Sequence, residues 1–104
     1  MKITISPIAA LPGGAETQVT VSGDTITVDG TPYDLSAVPE GGEATPQGEH
    51  PFVGKITRTN GELACTVRFL FEASTAEPVQ PSDPAHWVAT LSDGDLPDLI
   101  VRKP

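Results

Sequence analysis

The stretch Asn60-Gly61-Glu62-Leu63-Ala64-Cys65-Thr66-Val67-Arg68-Phe69-Leu70-Phe71 decides the fold class. Its first two residues form the pair best suited to a type I′ turn, because both central positions of that turn need a positive φ. After the pair, apolar side chains occupy positions 63, 65, 67, 69 and 71. A period of two residues places them on one face of a β-strand. The stretch therefore predicts a tight hairpin whose second strand has one buried face.

The same turn predicts the register of the hairpin. Counting outward from residues 60–61, four cross-strand pairs are expected: Arg58 with Leu63, Ile56 with Cys65, Gly54 with Val67, and Phe52 with Phe69. This register brings the apolar residues of both strands onto one face, and a shift of one residue would turn half of them to solvent.

The segment Gln18–Leu35 repeats this pattern twice. Gly23-Asp24 is a type II′ candidate and Asp29-Gly30 is a type I′ candidate, so a three-stranded meander is predicted. The expected rows on its buried face are Val21 with Ile26 and Tyr33, and Val19 with Val28 and Thr31. Pro32 falls at a non-hydrogen-bonded position, so the third strand is predicted to be a sheet edge.

Three further segments show weaker strand character: residues 2–6, 87–91 and 96–102. Together with the hairpins they make seven or eight short strands separated by turn signals, a spacing typical of a sandwich or a small barrel. We therefore expect one all-β domain over residues 1–104, built as an antiparallel β-sandwich or small barrel. The sequence does not choose between these two architectures.

Two long segments rich in Pro, Gly and acidic residues interrupt the strands: residues 36–51 and 72–86. Loops of this length are uncommon in compact domains, and they are either mobile or used for contact. Solvated crossovers between two sheets are the alternative interpretation. The two loops are the first place to look for function.

The composition excludes several classes of partner. Six basic residues stand against 14 acidic ones, for a formal charge of −8. Repulsion would oppose nucleic-acid phosphates and anionic membranes, so we expect neither as a partner. The start of the chain shows no secretory signal, and no apolar run approaches the roughly 20 residues of a membrane helix. We therefore expect a soluble protein made in the cytoplasm.

Candidate metal ligands are few. The two histidines, His50 and His86, lie beside Glu49 and near Asp83 respectively, but they lack the short spacings of a zinc motif. Two exposed loop histidines are the favoured interpretation.

A second acidic group, Asp93, Asp95 and Asp98, is similar to part of a calcium loop. It lacks the bidentate Glu of an EF-hand, and turn residues between short strands explain it as well. Trp87 alternates with apolar neighbours, which favours a core position over an exposed ligand platform. The alternative function is a small module that binds carbohydrate or calcium through Trp87 and these three aspartates.

Signs of catalysis are missing from the sequence. The single cysteine, Cys65, falls on the buried face of its strand, where a thiol is inert, and it excludes an internal disulfide framework. Neither a nucleophile elbow nor a phosphate loop occurs. We expect no catalytic residues, no metal and no cofactor.

Residues 24–71 resemble small proteins encoded among the tail genes of tailed bacteriophages and prophages. The resemblance rests on four groups of residues: Tyr33-Asp34-Leu35-Ser36, Val38-Pro39-Glu40-Gly41, Phe52-Val53-Gly54 with Arg58, and Asn60-Gly61-Glu62-Leu63. It implies a non-enzymatic structural or accessory role through protein–protein contacts, with a phage tail protein or a second copy as partner. It also implies synthesis in the bacterial cytoplasm and association with the virion, and it transfers no site residues.

Overall fold

The computed structural model describes residues 1–10, 15–48 and 50–103, and these residues form an all-β fold of two sheets. The order is β5-β6-β7-β1-β8 in the five-stranded sheet and β4-β3-β2-β9 in the four-stranded sheet. The all-β prediction is confirmed, and two stacked sheets fit the sandwich alternative. The strands are β1 Lys2–Ala9, β2 Val19–Ser22, β3 Thr25–Val28, β4 Thr31–Asp34, β5 Glu43–Ala44, β6 Ile56–Thr59, β7 Glu62–Phe71, β8 Val88–Thr90 and β9 Asp93–Asp95, with a short 3-10 helix at Pro84–Trp87.

The three predicted two-residue turns are confirmed. Asp29 and Gly30 have φ of 52° and 83°, and Asn60 and Gly61 have 53° and 78°, as type I′ turns require. Gly23 has φ of 60°, the sign that the first position of a type II′ turn needs. Every predicted pair of the meander occurs, and β4 is an edge strand as expected.

The strand β1 corrects the expectation of a wholly antiparallel sheet, because it pairs with β7 in parallel. Ile3 lies beside Cys65 and Ile5 beside Val67, and all four side chains are buried. The parallel arrangement places the apolar face of β1 on the same side as that of β7. This pairing joins distant parts of the chain and carries no turn signal.

The register of β6 and its extension departs from prediction beyond Ile56. Arg58 pairs with Leu63 as expected, but Phe52 lies opposite Val67 rather than Phe69. Between these points the chain bends at Gly54, whose φ is 75°. The bend absorbs two extra residues in the manner of a bulge, so the pairing shifts by two and Phe52 keeps its inward direction.

The predicted strand over residues 96–102 is wrong, and the strand lies instead at β9, where turn residues were expected. Leu96 still donates its N–H to the carbonyl of Val19, but Pro97 follows and has no N–H to continue the ladder. The Asp98 carboxylate then accepts the N–H of Ile100 in a local turn. Only Arg102 forms a further bridge, with Ala76.

The core lies between the two sheets. Cys65 and Trp87 both belong to it, as predicted from their alternation. Its buried hydrophobic members are Ile3, Ile5, Val19, Val21, Ile26, Val28, Leu35, Val38, Phe52, Ile56, Leu63, Cys65, Val67, Phe69, Ala76, Trp87 and Ile100.

Candidate functional site

The loop 36–51 is attached to the five-stranded sheet at several points. Its strand β5 pairs with β6, placing Ala44 opposite Ile56. At its end, Val53 donates its N–H to the carbonyl of Thr66, and Arg68 donates its N–H to the carbonyl of Pro51. The loop is thereby held against the five-stranded sheet. It forms one wall of a cavity whose opposite side is the edge strand β4 of the other sheet.

Three aromatic side chains meet where this wall approaches β4. The Tyr33 and Phe52 rings lie edge to face with centroids 5.1 Å apart, and the His50 ring stacks on Phe52 at 6.0 Å. The N–H of Phe52 donates to Nδ1 of His50 at 3.1 Å. Because Nδ1 accepts, the neutral imidazole carries its proton on Nε2. We call Tyr33, His50 and Phe52 the aromatic cluster.

Two cavities share the aromatic cluster as a common wall. The loop cavity, about 500 Å³, lies between β4 and the loop and is lined by apolar side chains that include Leu35, Val38 and Ile56. The tip cavity, about 940 Å³, lies beside the β3–β4 turn and is lined by Val53 and Arg68 among others. Both volumes fall in the range of about 300–1,000 Å³ that ligand pockets occupy.

The tip cavity is lined by two residues of opposite charge, Arg68 and Asp29. The Arg68 guanidinium donates to the carbonyl of His50 at 2.7 Å, and within the described residues it has no carboxylate within ion-pair distance. Three other cations of the chain, Lys55, Arg58 and Arg102, are ion-paired. Arg68 and Asp29 therefore give this cavity one charged donor and one charged acceptor.

The edge of β4 limits how a partner strand could add to it. Thr31 forms a hydrogen-bonded pair with Val28 next to the two-residue turn, so the backbone groups of Pro32 and Asp34 point to the free edge. Pro32 offers no N–H there. The Asp34 carboxylate accepts the N–H of Ser36 at 2.9 Å, and that hydrogen bond lowers its pKa. A polar edge of this length favours contact through side chains over a long added strand.

The two histidines lie in different surroundings. His50 belongs to the aromatic cluster, whereas Nε2 of His86 lies 2.6 Å from the carbonyl oxygen of Leu99 and its ring meets Trp87 edge to face at 4.8 Å. Both are partly buried, where loop exposure was expected. Asp83 accepts the N–H of Ala85 at the start of the 3-10 helix.

The proposed partner of the first histidine, Glu49, lies outside the described residues. In the rest of the chain, residues 1–10, 15–48 and 50–103, no group of three His, Cys, Asp or Glu is placed to hold a metal ion.

The second acidic group is dispersed. Asp93 and Asp95 lie on the exposed edge strand β9, while Asp98 pairs with the Arg102 guanidinium at 3.0 Å. Trp87 is only 8 % exposed, and its indole N–H donates to the carbonyl of Pro81 at 3.0 Å. The indole is therefore packed and hydrogen-bonded rather than open to a sugar.

The Cys65 thiol is shielded from solvent. Burial raises its pKa to about 11, so the thiolate that would act as nucleophile or ligand is scarce near neutral pH.

The sequence prediction missed the aromatic cluster and the role of Arg68. Tyr33 and Phe52 were each predicted to face inward, but nothing local indicated that the loop would bring them together. Arg68 falls on the outward face of β7, where an isolated cation is unremarkable. The strict alternation of residues 63–71 does predict its exposure, which was the one available signal.

No family model, curated protein or solved structure matches this chain. Among the described residues, no helix is long and apolar enough to cross a membrane.

Proposed function

We propose that this chain is a non-enzymatic structural or accessory protein of a phage or prophage tail, acting through protein–protein contacts. It is made in the bacterial cytoplasm and joins the virion on assembly. Its contact surface is the pair of cavities around the aromatic cluster of Tyr33, His50 and Phe52.

The observation that carries this proposal is the way the loop 36–51 stands against β4. A solvated crossover would leave no concave apolar surface beside it, whereas this loop borders two adjoining open cavities that share the aromatic cluster. Concave apolar surface with a few polar groups is the usual form of a binding site. Aromatic and Arg side chains are also the types enriched at protein interfaces.

The location of the cavities along the chain supports the phage context. The resemblance to tail-region proteins covers residues 24–71, and the aromatic cluster, Arg68 and the loop that forms the wall all fall within that stretch. The part of the chain that carries the resemblance is thus the part that builds the proposed surface.

The chemistry of the cavities favours binding over catalysis. His50 engages its Nδ1 with a backbone N–H, and the cysteine thiol lies in the core with a raised pKa. Neither forms a nucleophile–base pair with a neighbouring side chain, the arrangement that covalent catalysis needs. The carbohydrate and calcium alternative finds no support in the packed indole of Trp87 or the dispersed aspartates.

A capture experiment with matched variants tests the proposal. The immobilised chain is incubated with a lysate of bacteria that are assembling phage tails, and bound proteins are identified by mass spectrometry. We expect a tail protein to be captured by the wild type and by Val101→Asp, and to be lost with Val53→Asp. Both valines are exposed, by 37 % and 44 %, but only Val53 lines a cavity.

Two outcomes would count against the proposal. One is the absence of any tail protein among those captured by the wild type. The other is an equal loss with both variants, which would mean that added charge, and not the cavity, decides capture.

A further inference from the structure

The free edge of β4 brings a carboxylate to the border of the loop cavity. Asp34 pairs with Thr25 at a position where no hydrogen bonds join the two strands, so its backbone N–H and carbonyl point to the free edge. Asp34 is exposed, and it lines the loop cavity. The hydrogen bond from the N–H of Ser36 lowers the pKa of Asp34, so this carboxyl group is ionised near neutral pH. One residue thus offers a segment of another chain a backbone donor, a backbone acceptor and a negative charge.

The ion pairs around the loop cavity leave one carboxylate for a partner. The acidic residues that line the cavity are Asp34 and Glu43, and neither Lys nor Arg lines it. Lys55 pairs with Glu43 at 2.7 Å. Arg58 donates to a carbonyl of the loop, but it is paired with Asp24 at 3.0 Å. In the described chain no cation lies within ion-pair distance of Asp34, so the cavity is complementary to a positive charge at that point.

The alternation of side chains along a strand relates this charge to the apolar part of the cavity. Side chains directly opposite one another in a β-pair point to the same face, and neighbours along a strand point to opposite faces. A residue opposite Asp34 therefore has its side chain beside the carboxylate, on the exposed face of β4. The next residue of the same segment directs its side chain to the inner face, where buried Leu35, Val38 and Ile56 line the loop cavity.

We propose that the loop cavity binds a peptide segment of a partner protein in which a Lys or Arg stands next to a large apolar residue. The basic side chain lies against Asp34, and the apolar side chain enters the cavity. The contact is short, because Pro32 offers no N–H two residues along the edge. This inference rests on the proposed function and deepens it by naming the chemistry of the partner.

The charge of the whole chain favours the same occupant. A formal charge of −8 attracts a basic segment and opposes the approach of a second copy. The free backbone groups of Asp34 favour a peptide, because an extended chain adds to a sheet edge through its own N–H and carbonyl groups.

Titration of the isotope-labelled full chain with two synthetic peptides, followed by NMR, tests this proposal. The first peptide, acetyl-Gly-Leu-Arg-Leu-Gly-amide, has the proposed pattern, and the second has Glu in place of Arg. We expect the first to bind with a Kd of roughly 1 mM and to shift the amide signals of Asp34, Leu35 and Val38. The second should bind about fivefold more weakly or not at all, because like charges then lie opposite each other.

Three variants of exposed residues separate the charge from the cavity. Asp34→Asn keeps the shape of the side chain and should weaken binding of the first peptide about two- to fivefold. The matched control, Asp93→Asn, removes the same charge from β9, outside the cavity, and should bind like the wild type. Ala37→Phe adds a ring on the lining of the cavity and should weaken binding about threefold or more.

Three results would overturn the proposal. They are equal binding of the two peptides, no shift of the three amide signals with up to about 10 mM of the first peptide, and an Asp34→Asn chain that binds as tightly as Asp93→Asn. The capture experiment depends instead on Val53, which lines the tip cavity and not the loop cavity. A failed titration would therefore leave the capture of a tail protein standing, and a failed capture would leave peptide binding standing.

Discussion

Replacement of Arg102 by Met tests how much stability one side chain contributes by joining the last residues of the chain to the segment before β2. Its guanidinium makes two hydrogen bonds to the Glu16 carboxylate, at 2.7 and 3.0 Å, and two to Asp98, at 3.0 and 3.3 Å. A fifth contact reaches the hydroxyl of Thr75 at 3.0 Å. Methionine keeps much of the apolar stem and removes only the charge and the donors.

The magnitude follows from how far each partner is exposed. The side chains of Arg102 and Glu16 are 27 % and 28 % exposed. We therefore expect this bidentate pair to contribute about 1.5 kcal/mol to stability, the lower end of the range for charge-assisted hydrogen bonds. Asp98 is 53 % exposed and adds roughly 0.5 kcal/mol. We therefore expect Arg102→Met to lower the free energy of unfolding by about 2 kcal/mol, and the melting temperature by roughly 8–15 °C.

The pH dependence gives the prediction a definite sign. The hydrogen bonds from Arg102 lower the pKa of Glu16 below its ordinary value of 4.5. The stability that this pair contributes is therefore fully present above about pH 4.5, where Glu16 is ionised in the unfolded chain as well. It is lost as the pH falls through the lowered pKa of the folded state. The gap between wild type and Arg102→Met should therefore be full at pH 7 and should shrink below about pH 4.5.

Urea unfolding followed by circular dichroism, repeated between pH 7 and pH 3, measures this gap. The matched control is Lys55→Met, which breaks an ion pair with Glu43 whose side chains are 56 % and 55 % exposed. That variant should lose less than about 1 kcal/mol. The reasoning fails if Arg102→Met costs no more than the control, or if its cost is the same at pH 3 as at pH 7.

Three further predictions concern the core and the central hairpin. The Cys65 thiol, buried and with a pKa of about 11, should react with an alkylating reagent at pH 8 only as fast as the protein unfolds, and a fast reaction with the folded protein would contradict its burial. Trp87→Phe removes the hydrogen bond to Pro81 and should cost about 1–2 kcal/mol in thermal unfolding, whereas an unchanged melting temperature would contradict that role. Gly61→Ala places a β-carbon on a residue with φ of 78° and should cost roughly 1–2 kcal/mol of stability. Asn60 also has a positive φ, which glycine adopts without strain, so Asn60→Gly should change stability less.

The local parts of this fold could be predicted because turn chemistry and strand periodicity act over a few residues. Asp29-Gly30 and Asn60-Gly61 set positive φ at both turn positions, and the two-residue turn then fixes the neighbouring pairs. Burial of Cys65 followed from the same alternation. These predictions hold within about four residues of each turn.

The candidate site could be predicted only in outline. Both long loops were singled out by their composition, and the loop 36–51 contributes to the proposed surface, but the residues that line the cavities were not identified. The bend at Gly54 illustrates the reason, since it shifts Phe52 from Phe69 to Val67 and so directs it at Tyr33. A bend of this kind is selected by what the side chain meets across the interface between the sheets.

The sequence by itself determined that this protein is built from β-strands, where its tight turns lie, and which faces of the hairpins are buried. Only the tertiary structure decided that β1 joins β7 in parallel, that the last strand is β9 and not residues 96–102, and that Arg102 reaches Glu16. Local dihedral preferences and a period of two residues depend only on residues that are neighbours in the sequence. Pairings between distant segments depend instead on which arrangement buries the most apolar surface while satisfying the backbone, and that is a property of the whole chain.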